Sequence, residues 1–264
     1  MATTGVHSPG RAQIDARTLR KDRWWLQPLL TFLALTFFVV YSAWRVFSGS
    51  NYYSAPYISL FYSPCLATEC VEGAHPGGPI SWWMLSPALL IAWIPLTFRF
   101  SCYYYRKAYY RSFWLSPPAC AVAEPHGGYS GERRLPLILN NVHRYAFYLA
   151  LILNVVLTID AILALQTPQG QWGYVGLGTL ILFANAAALW LYTLSCHSCR
   201  NAVGGRITHF SKHPVRYKMW TFISRLNEHH MLWAWVSLCT VVLADFYVYL
   251  LASGRISDLV FFSV

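Results

Sequence analysis

Charge is what this sequence has least of. Only 11% of its 264 residues are Asp, Glu, Lys or Arg, and 56% are hydrophobic. A globular domain carries about 25% charged residues, so this chain cannot cover a water-facing surface and a soluble fold is excluded. Acidic residues number ten against twenty basic ones. The excess does not gather into a patch. It falls in short segments between apolar runs, as in bilayer orientation rather than nucleic-acid binding. No small-residue cleavage site follows the first apolar run, which is also too long for a signal peptide. No internal repeat is visible, against transporters built from paired halves. Seven cysteines, an odd number, do not make a disulfide scaffold. Apart from Cys65 and Cys70 they fall in or beside segments assigned below to the reducing side, where thiolate ligands or inert thiols are expected.

What is present is a set of apolar runs, each near the roughly 20 residues a helix needs to cross a bilayer. Five are expected, at 25–46, 80–98, 142–165, 174–194 and 230–251. Backbone groups in lipid must bond within their own segment, so the spans are helices. The fold class is therefore an all-α integral membrane protein, a bundle of five transmembrane helices. Pro87 and Pro95 are expected to kink or unwind the second. Lys and Arg cluster before the first span (Arg11, Arg17, Arg20, Lys21, Arg23), after the second (Arg99, Arg106, Lys107, Arg111, Arg133, Arg134) and after the fourth (Arg200, Arg206, Lys212, Arg216, Lys218, Arg225). Only Arg45 and Arg255 fall to the other side. The positive-inside rule then puts the N-terminus in the cytoplasm and the C-terminus outside. The chain divides into an N-terminal segment 1–24, a membrane domain 25–251 and an outer tail 252–264. Its cytoplasmic loops are 99–141 and 195–229, and its outer loop is 47–79.

The potential metal donors share one depth. His143 opens the third span, Cys196, His197 and Cys199 close the fourth, His229 and His230 open the fifth, and Cys102 closes the second. At 1.5 Å rise per residue, His143 and Asp160 are roughly 25 Å apart along one helix, nearly the whole apolar thickness. Several readings fit such a layer. One is a haem held by an imidazole from each of two helices. Another is an iron–sulfur cluster with two thiolates on one iron and two imidazoles on the other. Cys196 and Cys199 alone also fit a redox dithiol or a zinc site, and each residue singly fits a helix end or core packing. Cys120, in a Pro-rich loop followed by His126–Gly127–Gly128, makes Cys102 with Cys120 a competing thiolate pair.

The run Tyr103–Trp114 reads as an interfacial aromatic belt or as one wall of a site for a lipid-soluble ligand. On the outer side, Cys65 and Cys70 suit a local disulfide among Pro64, Pro76, Gly77, Gly78 and Pro79. Asp160 and Asp245, toward the outer ends of their helices, read as interhelical polar contacts or as groups exposed to lipid headgroups in preference to a proton relay, as neither has evident company at mid-membrane.

Taken together, Ser101–Cys102–Tyr103–Tyr104–Tyr105–Arg106–Lys107, Ser116–Pro117–Pro118–Ala119–Cys120, Leu137–Tyr145, Ser195–Cys196–His197–Ser198–Cys199–Arg200, Gly204–Gly205–Arg206 and Leu226–Met231 resemble the membrane-anchor subunit of actinobacterial succinate dehydrogenase, the five-helix type of respiratory complex II. The resemblance runs from about Asp22 onward. It implies a complex with a flavoprotein carrying FAD and a soluble iron–sulfur subunit with its own clusters, expected as a higher oligomer, in the plasma membrane with the soluble partners on the cytoplasmic side. It implies electron delivery to menaquinone through a membrane-embedded Rieske-type [2Fe–2S] cluster, with a haem b anchor as the alternative. The expected ligands are His143 and His230, with Cys196 and Cys199 or Cys102 and Cys120, and His197 in reserve. His229 points about 100° away from His230 around the helix. Tyr103, Tyr104, Tyr105, Arg106 and Trp114 are the quinone-pocket candidates, with Lys107 steadying the reduced quinone or docking the soluble iron–sulfur subunit. The isolated chain is expected to oxidise no succinate. A small membrane transporter, a thiol oxidoreductase and a purely structural anchor are the rivals outside this chemistry.

Overall fold

The computed structural model describes residues 20–68, 70, 78–122, 125, 135 and 137–263. Arg11, Arg17, Pro76, Gly77, His126, Gly127, Gly128, Arg133 and Arg134 lie outside the described residues. Four helices are long and apolar enough to cross a membrane: α1 (Leu26–Phe47), α4 (His143–Leu163, entered through a 3₁₀ turn at Leu137–Val142), α5 (Leu177–Leu194) and α8 (His230–Ala252). α1 tolerates Pro28 because that residue lies in the first turn, whose N–H groups have no helical acceptor.

The expected second span is shorter than its hydropathy. Residues 80–88 are not helical, and α2 runs only over Leu89–Phe100. Pro87 sits just ahead of the first turn, and a residue preceding proline is pushed out of the helical region. Pro95 lies inside the helix and has no N–H to donate back. Three polar helices then complete the chain: α3 (Tyr103–Phe113), α6 (His197–Gly204) and α7 (Pro214–Glu228). α7 starts on Pro214, whose fixed φ suits a first helical position.

α5 packs closely on both α8 and α4, over small residues. Ala161, Ala164, Ala186 and Ala244 are buried where these helices meet. Small side chains let backbones approach, which matters in lipid because burying apolar surface there gives no hydrophobic gain. Large apolar side chains such as Leu30, Phe37, Val40, Leu96, Ile152 and Leu243 instead point outward.

One end of the bundle carries a structured cap. A short hairpin pairs β1 (Tyr53–Ser54) with β2 (Tyr57–Ile58), and β3 (Tyr174–Gly176) pairs antiparallel with β4 (Val260–Ser263). Cys65 and Cys70 are bridged, with Cα atoms 6.1 Å apart. Asp258 ties the tail to the bundle by accepting from the hydroxyls of Tyr57, Tyr174 and Tyr247 and from the N–H of Gly178 in the first turn of α5. Gly178 is needed there, since a Cβ would meet the Tyr57 ring at 2.6 Å.

Both intramembrane carboxylates have company. Asp245 accepts from Arg45 Nε at 2.7 Å, and from Tyr41 and Ser59. Both members of the Arg45–Asp245 pair are fully buried. Asp160 accepts from Ser63. Asp245 thus joins α8 to α1, as in the interhelical reading, whereas Ser63, the partner of Asp160, lies in the segment between β2 and α2.

Candidate metal centre

The opposite end of the bundle gathers the donors. Two helices, α2 and α5, stop on a serine followed by an extended cysteine: Ser101–Cys102 (Cys102 φ −64°, ψ 130°) and Ser195–Cys196 (Cys196 φ −67°, ψ 145°). Two others, α4 and α8, begin on a histidine, His143 and His230. Helix ends therefore meet helix beginnings in one buried layer. Nε2 of His143 lies 2.9 Å from Cys196 Sγ, and Nε2 of His230 lies 3.4 Å from Cys102 Sγ. The other ring nitrogens reach serine hydroxyls, His143 Nδ1 to Ser101 Oγ at 2.9 Å and His230 Nδ1 to Ser195 Oγ at 2.7 Å.

Aromatic rings hold each imidazole flat. His143 stacks on Phe98 with centroids 4.9 Å apart and planes 1° from parallel; His230 stacks on Tyr192 at 5.2 Å and 13°. Arg99 lies over the Tyr192 ring, 4.7 Å from its centroid, and donates to Tyr105 and Ser237. It is thus a buried member of α2, although its sequence position reads as loop.

Both expected imidazoles, His143 and His230, are in place. The thiols facing them are one from each expected pair, Cys102 and Cys196. Cys199 shares the buried cluster but faces neither imidazole in a hydrogen bond among the described residues. Cys120 is exposed, its carbonyl accepting from Arg20. His197 is exposed and lines a basic concavity of about 650 Å³ with Arg144 and Arg200. Of the residues expected from sequence, Cys102 and Cys196 thus lie against the imidazoles, whereas Cys199, Cys120 and His197 are placed elsewhere. Spacing within one helix end cannot decide contacts made between helices.

Two thiols and two imidazoles, set here as two His–Cys pairs, are the donor types a two-iron cluster with mixed ligation takes. Burial, reinforced by neighbouring Cys102, pushes the Cys196 thiol up to about 12. A free thiol so held is a poor nucleophile, against the thiol-oxidoreductase reading, while a bound metal deprotonates a coordinating thiol outright.

The quinone candidates divide. Tyr103, Arg106 and Lys107 line one concavity of about 580 Å³ with Tyr110, Arg111 and the loop Ser116–Cys120. Tyr104 does not line it and accepts from Trp235 Nε1 at 2.6 Å. Tyr105 is buried beside Arg99 and donates to the Ala234 carbonyl, and Trp114 packs on Tyr109 and Tyr110 outside the concavity. Sequence reasoning missed Ser101, Ser195, Phe98 and Tyr192. Their signal was present as an aromatic–x–x–Ser–Cys pattern at 98–102 and again at 192–196.

Fold and site together define a multi-helix membrane protein that assembles two imidazoles and two thiols at one end of its bundle. The chain belongs to the actinobacterial succinate dehydrogenase SdhC family, whose description, actinobacterial succinate dehydrogenase subunit SdhC, matches residues 26–254. It is similar to a chain of the Mycobacterium smegmatis Sdh1 complex solved in the apo form, at 56% identity over 97% of this chain and 98% of that one, with a TM-score of 0.85. No curated protein matches it. The chain is accordingly a membrane subunit of a succinate dehydrogenase complex.

Proposed function

We propose that this subunit reduces menaquinone in the membrane with electrons from the soluble iron–sulfur subunit, and that Cys102, Cys196, His143 and His230 hold a Rieske-type [2Fe–2S] cluster for that purpose. The observation that carries the reading is the meeting of two thiols and two imidazoles, each imidazole Nε2 facing a sulfur. Bound there, such a cluster supplies one-electron transfer at a potential raised by its imidazole ligands. A haem held by two imidazoles leaves Cys102 and Cys196 unexplained.

The chain's own residues do the rest. Phe98, Tyr192 and the packed ends of α4 and α8 exclude water from the donors. Tyr103, Arg106 and Lys107 line the concavity next to Cys102, where their cations steady a quinone headgroup as it gains negative charge. Two protons complete the reduction and come from the adjoining aqueous face. The basic concavity at Arg144, His197 and Arg200 offers the soluble iron–sulfur subunit an acid-seeking surface beside the donors.

The orientation belongs to the same reading, with the donor end cytoplasmic, the N-terminus on that side and the C-terminus outside. α2 makes the fifth crossing despite its length. Residues ahead of it are tied to the cap, through the Ala67–Ile80 bridge and the Tyr52–Ser86 hydroxyl contact, and its far end delivers Cys102 to the donors.

Electron paramagnetic resonance of the dithionite-reduced complex tests the ligands. His143→Ala, His230→Ala, Cys102→Ser and Cys196→Ser should each abolish the membrane cluster's signal and its share of iron and acid-labile sulfide. Cys199→Ser and Cys120→Ser should keep both. An unchanged signal in both histidine variants would reject the site.

A further inference from the structure

The donor layer is built twice from one pattern. In Phe98–x–x–Ser101–Cys102 the aromatic ring and the serine engage His143, while the cysteine faces His230. In Tyr192–x–x–Ser195–Cys196 the aromatic ring and the serine engage His230, while the cysteine faces His143. The residue after each aromatic obeys the same exchange. Arg99 donates to Ser237 on α8, the His230 helix, and Thr193 accepts from Asn154 on α4, the His143 helix. Each pattern thus orients one imidazole and offers its thiol to the other, a local pseudo-twofold across the site.

We propose that Ser101 and Ser195 are positioning residues that fix the tautomers of His143 and His230, so that Nε2 is the nitrogen each presents to the metal; this rests on the cluster reading above. A serine hydroxyl has one hydrogen. Ser101 Oγ donates it to the Thr97 carbonyl at 2.6 Å, and Ser195 Oγ donates it to the Tyr192 carbonyl at 2.9 Å. A carbonyl oxygen can only accept, so each hydroxyl faces its imidazole with a lone pair. Nδ1 of both histidines therefore carries the proton and donates to serine. Nε2 is left with its lone pair directed at the thiol pair. A hydrogen-bonded partner on the distal nitrogen is the usual means of fixing a ligating imidazole's tautomer and raising its basicity.

The decisive measurement uses the unmodified complex, prepared with histidine ¹⁵N-labelled at either Nε2 or Nδ1. Pulsed EPR of the reduced membrane cluster should show the strong coupling of a directly bound nitrogen from the Nε2 label and only a weak, remote coupling from Nδ1. Strong coupling from Nδ1 overturns the assignment. Ser101→Ala and Ser195→Ala complexes should then lose cluster occupancy by about tenfold under limiting iron. Their remaining clusters should show a raised midpoint potential, since an imidazole without its distal acceptor donates less charge to iron. The Ser→Thr variants, which keep the hydroxyl, should restore occupancy. Serine variants with the parent's occupancy, spectrum and potential would refute the positioning role. Should the His143→Ala and His230→Ala variants keep the signal, the cluster reading itself falls. If those lose it while the serine variants match the parent, only this inference fails.

Discussion

Arg45 is an exception in the charge count that geometry explains. As a cation on the sparse side of the charge count, it runs against the trend that orients the bundle. It is fully buried, its guanidinium spent on Asp245, the Asn51 carbonyl and the faces of Tyr52 and Tyr249. Breaking a buried pair by deleting one partner leaves an uncompensated charge and costs about 3–5 kcal/mol. Asp245→Ala and Arg45→Met should each lower the detergent-solubilised complex's unfolding temperature, and the double variant by less than their sum. Strict additivity in a thermal melt would show that the two side chains are not coupled. The partner was illegible beforehand because 200 positions separate the two residues, and hydropathy carries no information on which faces of α1 and α8 meet.

At the scale of elements, hydropathy located the four long helices closely and overestimated α2. A window average does not register that Pro87 blocks helix immediately ahead of Leu89. The short helices α6 and α7 escaped notice because a window sized for a membrane span averages their apolar positions with the charged and polar residues between them. The donor layer was legible to the extent that His143 and His230 open helices of the same sense. Which thiols face those imidazoles was not, since pairing by spacing keeps both cysteines on one segment. Asp258 was overlooked as an ordinary tail residue, yet it holds β4, Tyr57 and the start of α5 together. Burial opposes its ionisation, but donors from Tyr247, Tyr57, Tyr174 and the Gly178 N–H outweigh that and hold its carboxyl below the usual carboxylate range. A carboxyl more acidic when folded than when unfolded stabilises the fold above its unfolded value, and this contribution is lost as pH falls through the folded one. Hydrogen exchange in β3 and β4 should therefore rise selectively below about pH 4. In Asp258→Asn the rise with acid should vanish; a variant with the parent's pH profile would assign the acid sensitivity elsewhere.

For the molecule as a whole, segregation is the organising fact. One end carries the disulfide, the hairpin and the carboxylate clasps; the other carries the free buried thiols, the imidazoles and the basic concavities. This division suits an oxidising side and a reducing side, which gives the orientation a direct check. Single cysteines introduced at Asp22 and at Ser257, in a complex whose exposed Cys120 and Cys239 are replaced by serine, should react with a membrane-impermeant maleimide from opposite faces. Position 257 should label in intact cells and position 22 only after lysis. Labelling of both from one side would require an even number of crossings and remove the fifth span.

The meeting of four helix termini also sets the order of biogenesis. A nascent polypeptide threaded into the bilayer only as far as α5 and the turn after it owns Cys102, His143 and Cys196, while the remaining imidazole arrives only at the head of α8. Under the proposed ligation, maturation of the centre has to wait until translation and insertion are nearly finished, and a protein stalled before that point lacks one of the four proposed ligands.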